Sequence, residues 1–170
     1  FRGPNWLDQR IVAQQYDDRD PAVLVVGGGQ AGLSIAARLT QLGIDTLIVD
    51  KNSRIGDNWR NRYHALTLHN QLHVNHLPYV PFPPTWPTYI PKDMLALWFE
   101  SYAAIMELNF WTGTEVTSGR YDEASKLWDI TLTLKDGSTR HMAPRHVVLA
   151  TGVSGIANLP TIPTLDKFDG

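Results

Sequence analysis

The sequence predicts an α/β fold: a central parallel sheet that carries a small antiparallel β-meander as an insertion. Three observations lead there. A continuously apolar, β-branched run at residues 22–26 and similar runs at 46–49 (after Thr46) and 146–150 (after His146) read as strands buried on both faces of a parallel sheet. A helical rhythm of Leu33, Ala36, Ala37 and Leu39 separates the first two runs. From Trp111 to about Met142 the apolar period falls to two, the mark of strands with one wet face.

Taken in order, residues 5–18 mix apolar and charged residues at loosely helical spacing, with Ile11, Val12 and Tyr16 as candidate packing positions. Residues 1–20 are read as a lead-in helix or connector, and Asp20-Pro21 breaks the pattern. The strand Ala22–Val26 is bounded by Pro21 and Gly27, a helix over 30–42 stops at Gly43, and the strand Thr46–Val49 ends at Asp50. This order makes a right-handed βαβ unit. Residues 51–75 have no clear period. Residues 78–91 hold six of the 11 prolines, with Phe82, Trp86 and Tyr89 among them, which predicts a rigid extended loop packed through its aromatics. Lys92-Asp93 opens a helix through about Leu108, with Met94, Leu97, Trp98, Tyr102, Ile105 and Met106 on or near one face. Strands at 114–117, 127–134 and 139–142 form the meander, with Asp136-Gly137 as its clearest turn. The run 146–150 returns to the sheet and leads into Thr151-Gly152.

Composition narrows the classes of function. The chain has 170 residues, a formal net charge of -2 and no cysteine, which removes disulfides, thiolate metal sites and cysteine nucleophiles. The charge balance offers no basic nucleic-acid surface, and no apolar run reaches the roughly 18–20 residues of a membrane span. A cytoplasmic location is the default expectation. The chain begins at Phe1 and stops at Phe168-Asp169-Gly170, and is read as a fragment of a longer polypeptide.

The chemistry points to Gly27-Gly28-Gly29-Gln30-Ala31-Gly32, between a strand and a helix. In this context Gly27 permits the tight turn, Gly29 lets backbone approach a pyrophosphate, and Gly32 lets the helix pack on the sheet. The helix from Gln30 aims free amides and roughly half a positive charge at that anion. Asp50 ends the next strand, where a carboxylate can accept both hydroxyls of an adenosine ribose and opposes a 2′-phosphate. These residues predict a Rossmann-like dinucleotide site and leave NAD and FAD both open.

The longer pattern Gly27-x-Gly29-x-x-Gly32-x-x-x-Ala36-x6-Gly43, ending at Asp50, resembles the FAD-binding unit of the two-dinucleotide-domain flavoproteins. Arg54-Ile55-Gly56-Asp57-Asn58-Trp59, Tyr63, Pro81-Phe82-Pro83 and Ala150-Thr151-Gly152 narrow the resemblance to the flavin-containing monooxygenases and their Baeyer–Villiger relatives, from about Val23 to Gly155. The resemblance implies that residues 21–170 are an incomplete FAD-binding domain. It also implies that Gly56 and Trp59 run beside the pyrophosphate and ribitol, that Val116 meets the adenine through its backbone, and that Ala150, Thr151 and Gly152 pass the cofactor. His69 falls where many members have an asparagine near the reactive edge of the flavin, with Asn70 beside it. It is the catalytic candidate, either hydrogen-bonding the activated oxygen or shaping the pocket. Phe168-x-Gly170 resembles the opening of the family's Phe-x-Gly-x-x-x-His fingerprint, so the NADPH site and the NAD(P)H domain belong to the rest of the same polypeptide. The implied activity is an NADPH-dependent monooxygenase acting on a small-molecule substrate.

Other readings compete. A reductase or dehydrogenase of the same superfamily, which does not activate oxygen, fits the same motifs, as does a non-catalytic dinucleotide-binding module. A simple NAD-dependent dehydrogenase fits less well, because the segment 56–59 and the meander interrupt the next βα unit. His64, His69, His73 and His76 lack a carboxylate partner or an HExxH pattern, so no metal site is assigned. Trp86, Trp98 and Trp111 are read as packing the proline loop onto the helix after it. Lys51 and Arg54 are placed either at the adenosine end of the cofactor or as loop charges.

Overall fold

A computed structural model describes residues 3–153, 158 and 160–168. Gly155, where the resemblance ends, and Gly170, which closes the Phe168-x-Gly170 motif, lie outside the described residues. Along the chain run α1 (Trp6–Gln15), β1 (Val23–Val26), α2 (Gln30–Gln41), β2 (Thr46–Asp50), α3 (Asp57–Arg60), α4 (Lys92–Ile105), β3 (Asn109–Thr112), β4 (Glu115–Asp122), β5 (Leu127–Thr133), β6 (Thr139–Met142) and β7 (His146–Leu149). Four strands make a parallel sheet in the order β3-β2-β1-β7, and β4-β5-β6 make an antiparallel one.

In β1 and β2 the apolar runs work as predicted, because alternate residues feed two cores; β7, expected to be buried likewise, is an edge strand with His146 and Leu149 exposed. Val23, Val25 and Ile48 pack with Leu33, Ala36 and Ala37 of α2 and with Leu95, Phe99 and Tyr102 of α4. Leu24, Leu47 and Val49 face the other way, onto Ile130, Leu132 and Met142 of the meander and onto Tyr16. The sheet is thus the middle of three layers, and a polar residue at any of these strand positions would be stranded from water.

Several elements differ from the sequence expectation. The helix expected to reach Leu108 stops at Ile105, because Glu107 enters the left-handed region (φ 53°) and Leu108 N–H turns back to the Ala103 carbonyl at 3.0 Å. The next residues then form β3, a fourth parallel strand where the sequence suggested only the approach to the meander. Four residues without alternation carry no local signal. β4 runs to Asp122, well past the expected 114–117, with a bulge between Val116 and Ser118.

The N-terminal helix also departs from expectation. Asn5 and Asp8 form a reciprocal capping box, but Ile11 and Val12 are exposed at 49% and 66%. Only Tyr16 of the candidate packing residues is buried. Its hydroxyl donates to the Asp45 carboxylate at 2.7 Å and accepts from Asn109 Nδ2 at 2.7 Å. The Arg140 guanidinium donates to the Tyr16 carbonyl at 2.7 Å, so polar contacts dock this segment.

The proline loop is closed by Leu68 N–H to the Ile90 carbonyl (2.8 Å) and Leu72 N–H to the Thr88 carbonyl (2.7 Å). Phe82 is buried, its ring 5.3 Å from both Trp86 and Trp98, as the packing reading expects for those two. Trp111 corrects that reading: it lies on β3 against Tyr16 and donates its indole N–H to the Gln14 carbonyl.

Candidate functional site

At the carboxyl end of β1, Gly27 N–H continues the ladder to the Val49 carbonyl (2.8 Å), and Ala150 N–H does the same to the Val26 carbonyl (2.8 Å). Gly27 then takes φ 105°, which side-chain-bearing residues rarely adopt; a Cβ there would fall 2.5 Å from the Ala150 oxygen. A Cβ at Gly32 would fall 1.9 Å from the Gly27 oxygen, so helix and turn touch backbone to backbone. A Cβ at Gly28 would fall 2.0 Å from Phe110 Cζ of β3. Three of the four glycines are therefore demanded by the protein's own packing.

Gly29 is different. Among the described residues, a Cβ there meets nothing within 4 Å except Asn58 Nδ2, at 3.3 Å. Gly29 caps α2 with no side-chain hydrogen bond, and the amides of Gln30, Ala31 and Gly32 find no acceptor among the described residues. Bare amides, a helix's positive end and a face open beside a missing side chain are what a diphosphate needs, so the residues present fit a dinucleotide.

Asp50 stands beside this turn, more committed than the sequence implies. Its Oδ2 accepts Gly28 N–H at 2.7 Å, and its Oδ1 accepts both the backbone and side-chain N–H of Asn52 at 2.8 Å. With about two lone pairs per oxygen, Oδ1 is filled and Oδ2 keeps one acceptor site. The expectation that it takes both ribose hydroxyls narrows to one unless Asn52 moves. Gly113 N–H bonds to the Asn52 carbonyl (2.7 Å) and Thr114 N–H to the Asp50 carbonyl (2.9 Å). These bonds bring the start of β4, with half-buried Val116, next to the end of β2.

The other candidates fall on two sides. Half-buried Ala150 abuts the glycine turn, followed by exposed Thr151 and by Gly152 at φ 78°. Gly56 is buried with its bare side toward α4: a Cβ would fall 2.5 Å from the Ala96 oxygen, so its lack of a side chain serves helix packing. Trp59 packs into the larger core, and its indole nitrogen is buried without a partner among the described residues. Lys51 is exposed; Arg54 is engaged, pairing with Glu100. His69 is exposed between buried Leu68 and Asn70, whose amide exchanges hydrogen bonds with Asn75 at 3.1 Å in both directions. Of the histidines, His76 has a defined task, accepting Phe82 N–H through Nδ1 at 3.0 Å.

Sequence reasoning missed Asn58, Phe110 and the packing role of Gly28. Asn58 lay in a quoted segment, and its polarity on a short helix beside a glycine turn was the available signal. Phe110 and Gly28 meet across 82 positions, which no local pattern reveals.

Comparison with known proteins agrees with this fold. A family model for an NAD(P)-binding Rossmann-like domain matches residues 25–85. The chain is 32% identical over 165 residues to indole-3-pyruvate monooxygenase YUCCA1 of Oryza sativa subsp. japonica, covering 96% of this chain and 40% of that protein. It is 31% identical over 146 residues to indole-3-pyruvate monooxygenase YUCCA6 of Arabidopsis thaliana, covering 85% and 35%. The chain thus spans 35–40% of the length of these curated relatives. Among solved structures, a flavin monooxygenase from Stenotrophomonas maltophilia superposes with a TM-score of 0.75 at 26% identity, over 89% of this chain and 44% of that one. A cyclohexanone monooxygenase from Rhodococcus sp. Phi1 gives 0.73 at 28%, over 89% and 30%. Bacillithiol disulfide reductase from Bacillus cereus gives 0.77 at 20% identity, over 84% and 43%, a likeness of fold.

Proposed function

Because the chain belongs to the family of flavin-containing monooxygenases and their Baeyer–Villiger relatives, we propose that it is the FAD-binding part of an NADPH-dependent, cytoplasmic monooxygenase that adds one oxygen atom to a small organic substrate. The observation that carries this reading is the crevice at Gly29, open on its side-chain face and fronted by the amides of Gln30, Ala31 and Gly32, which have no acceptor among the described residues.

In this reading Gly27, Gly29 and the start of α2 hold the pyrophosphate, and the free acceptor site of Asp50 takes a ribose hydroxyl. Val116 offers backbone groups to the adenine. Asn58, Trp59 and Ala150-Thr151-Gly152 border the cofactor's middle, with Lys51 at the adenosine end. His69 and Asn70 serve the flavin end, where the Asn70–Asn75 amide pair fixes the backbone beside the histidine. FAD, once reduced by NADPH, supplies the electrons and the oxygen chemistry. This chain binds, orients and screens, while the remainder of the polypeptide supplies the NADPH site and the substrate pocket.

The test is spectroscopic. The full-length protein should purify yellow, bleach when NADPH is added without oxygen, and in air incorporate one oxygen atom per NADPH into an accepted substrate. A colourless protein that takes up no FAD refutes the cofactor assignment. Stoichiometric hydrogen peroxide with no oxygen transfer to any substrate tried replaces the monooxygenase by a reductase.

A further inference from the structure

α3 spans four residues, less than a helix needs to hold itself in water, so its place is imposed by its neighbours. Its start is Gly56, in backbone contact distance of Ala96 on α4. At its end, the Arg60 guanidinium donates to the Ile55 carbonyl (2.6 Å) and to the Asp57 carboxylate (3.0 Å). Buried Lys92 donates to the Arg60 carbonyl (2.9 Å).

Glu100, one turn beyond Ala96, reaches both flanks. Its Oε2 accepts from Arg54 Nη2 at 2.9 Å, and its Oε1 engages Arg54 Nε; Arg60 Nη2 lies 2.9 Å from Oε2 as a charge pair, without the alignment of a hydrogen bond. The side chains of Asp57, Arg60 and Glu100 are 13%, 19% and 24% exposed, so the inner arm is screened less than a surface pair, whereas Arg54 on the outer arm is 59% exposed. Between these anchors α3 carries Asn58. That side chain reaches within 3.3 Å of the place a Gly29 Cβ would occupy, and its amide bonds to nothing among the described residues.

We propose that Glu100 is the positioning residue of the diphosphate crevice: from α4 it grips Arg54 and Arg60 on either side of α3, and so keeps the Asn58 amide at Gly29 as a side-chain donor to the bound anion. The inference rests on the dinucleotide reading above. It assigns Asn58 to the cofactor and Glu100 to Asn58, across 42 positions of sequence.

The experiment is a double-mutant cycle on the full-length protein stripped of flavin, with FAD affinity read by fluorescence titration and the unfolding midpoint of the flavin-free protein read separately. Glu100→Gln and Asn58→Ala should each weaken FAD binding about tenfold, and Glu100→Gln should add nothing further in the Asn58→Ala background. Additive losses overturn the proposal, because Glu100 would then act by another route. So does a Glu100→Gln protein with a lowered unfolding midpoint and full FAD affinity, the behaviour of a mere brace. Should Glu100→Gln fail to fold, Arg54→Gln cuts only the outer arm and enters the same cycle. A wild-type protein that binds no FAD fails the underlying reading instead, and is told apart because no variant is involved.

Discussion

Gly29 and Gly32 are separated by one turn of chain and obey different constraints. Gly32 lacks room for a Cβ because the Gly27 carbonyl occupies it, whereas Gly29 has room, with Asn58 alone near it among the described residues. Gly29→Val should leave the unfolding midpoint of the flavin-free protein unchanged within a degree or two and abolish FAD retention. Gly32→Ala should lower the midpoint itself. A yellow Gly29→Val protein with an undiminished flavin spectrum would remove Gly29 from the crevice. Asp50→Ala strips one ribose acceptor, and also the carboxylate that holds Gly28 and Asn52. At about 1.5–3 kcal/mol for a hydrogen bond to a charged group, FAD affinity should fall roughly 10- to 100-fold. Unchanged affinity on titration would exclude Asp50 from the site.

Between elements, the contacts that matter are backbone against backbone and buried hydroxyl against carboxylate. Gly56→Ala puts a methyl group into Ala96 of α4 at φ 89°, a left-handed conformation that itself costs alanine about 1–2 kcal/mol. The variant should unfold several degrees earlier and lose FAD together with α3; an unchanged melting curve would show the α3–α4 contact to be loose. Two buried tyrosines make a second element-scale prediction. Burial pushes the Tyr102 phenol up to about 12, with Tyr79 adding to the rise and Arg38 opposing it. Tyr16 is raised as well, by burial and then by the Asp45 carboxylate, against the opposing effects of Asn109 and Arg19. Both are neutral in the fold at a pH where the unfolded chain would ionise them. Their stabilisation is complete below about pH 10, the unfolded tyrosine value, and is lost as pH rises toward the folded values. Stability measured by denaturant titration should therefore decline from about pH 10 to 12, and Tyr102→Phe should flatten that decline. Equal slopes in wild type and variant would refute the assignment.

At the scale of the molecule, the sheet has an open side. The outer edge of β7 is unpaired among the described residues, and Leu149 at its end is 77% exposed. An apolar edge strand of this kind calls for a cover, in keeping with relatives more than twice as long. The 170-residue piece alone should bind FAD much more weakly than the full-length protein and aggregate more readily. Equal affinity of the two would show that this chain is a self-sufficient FAD domain.

Part of this protein could be read from the sequence alone, for one physical reason: the signals are local. A strand buried on both faces must be a continuous apolar run, a helix must repeat its apolar residues every three or four positions, and a backbone turn against a diphosphate must omit its side chains. Residues 22–50 satisfy all three in sequence, so the βαβ unit, the glycine crevice and Asp50 were legible, as were the meander and the proline loop with Phe82, Trp86 and Trp98. Tertiary structure alone decided what depends on residues distant in the chain. It made residues 109–112 a sheet strand by pairing them with β2, turned Phe110 onto Gly28, and buried Tyr16 rather than Ile11 and Val12. It also filled most of Asp50 with Gly28 and Asn52, and set Asn58 at Gly29. Such pairings are chosen by space and charge once the layers close, and no periodicity along the chain records them.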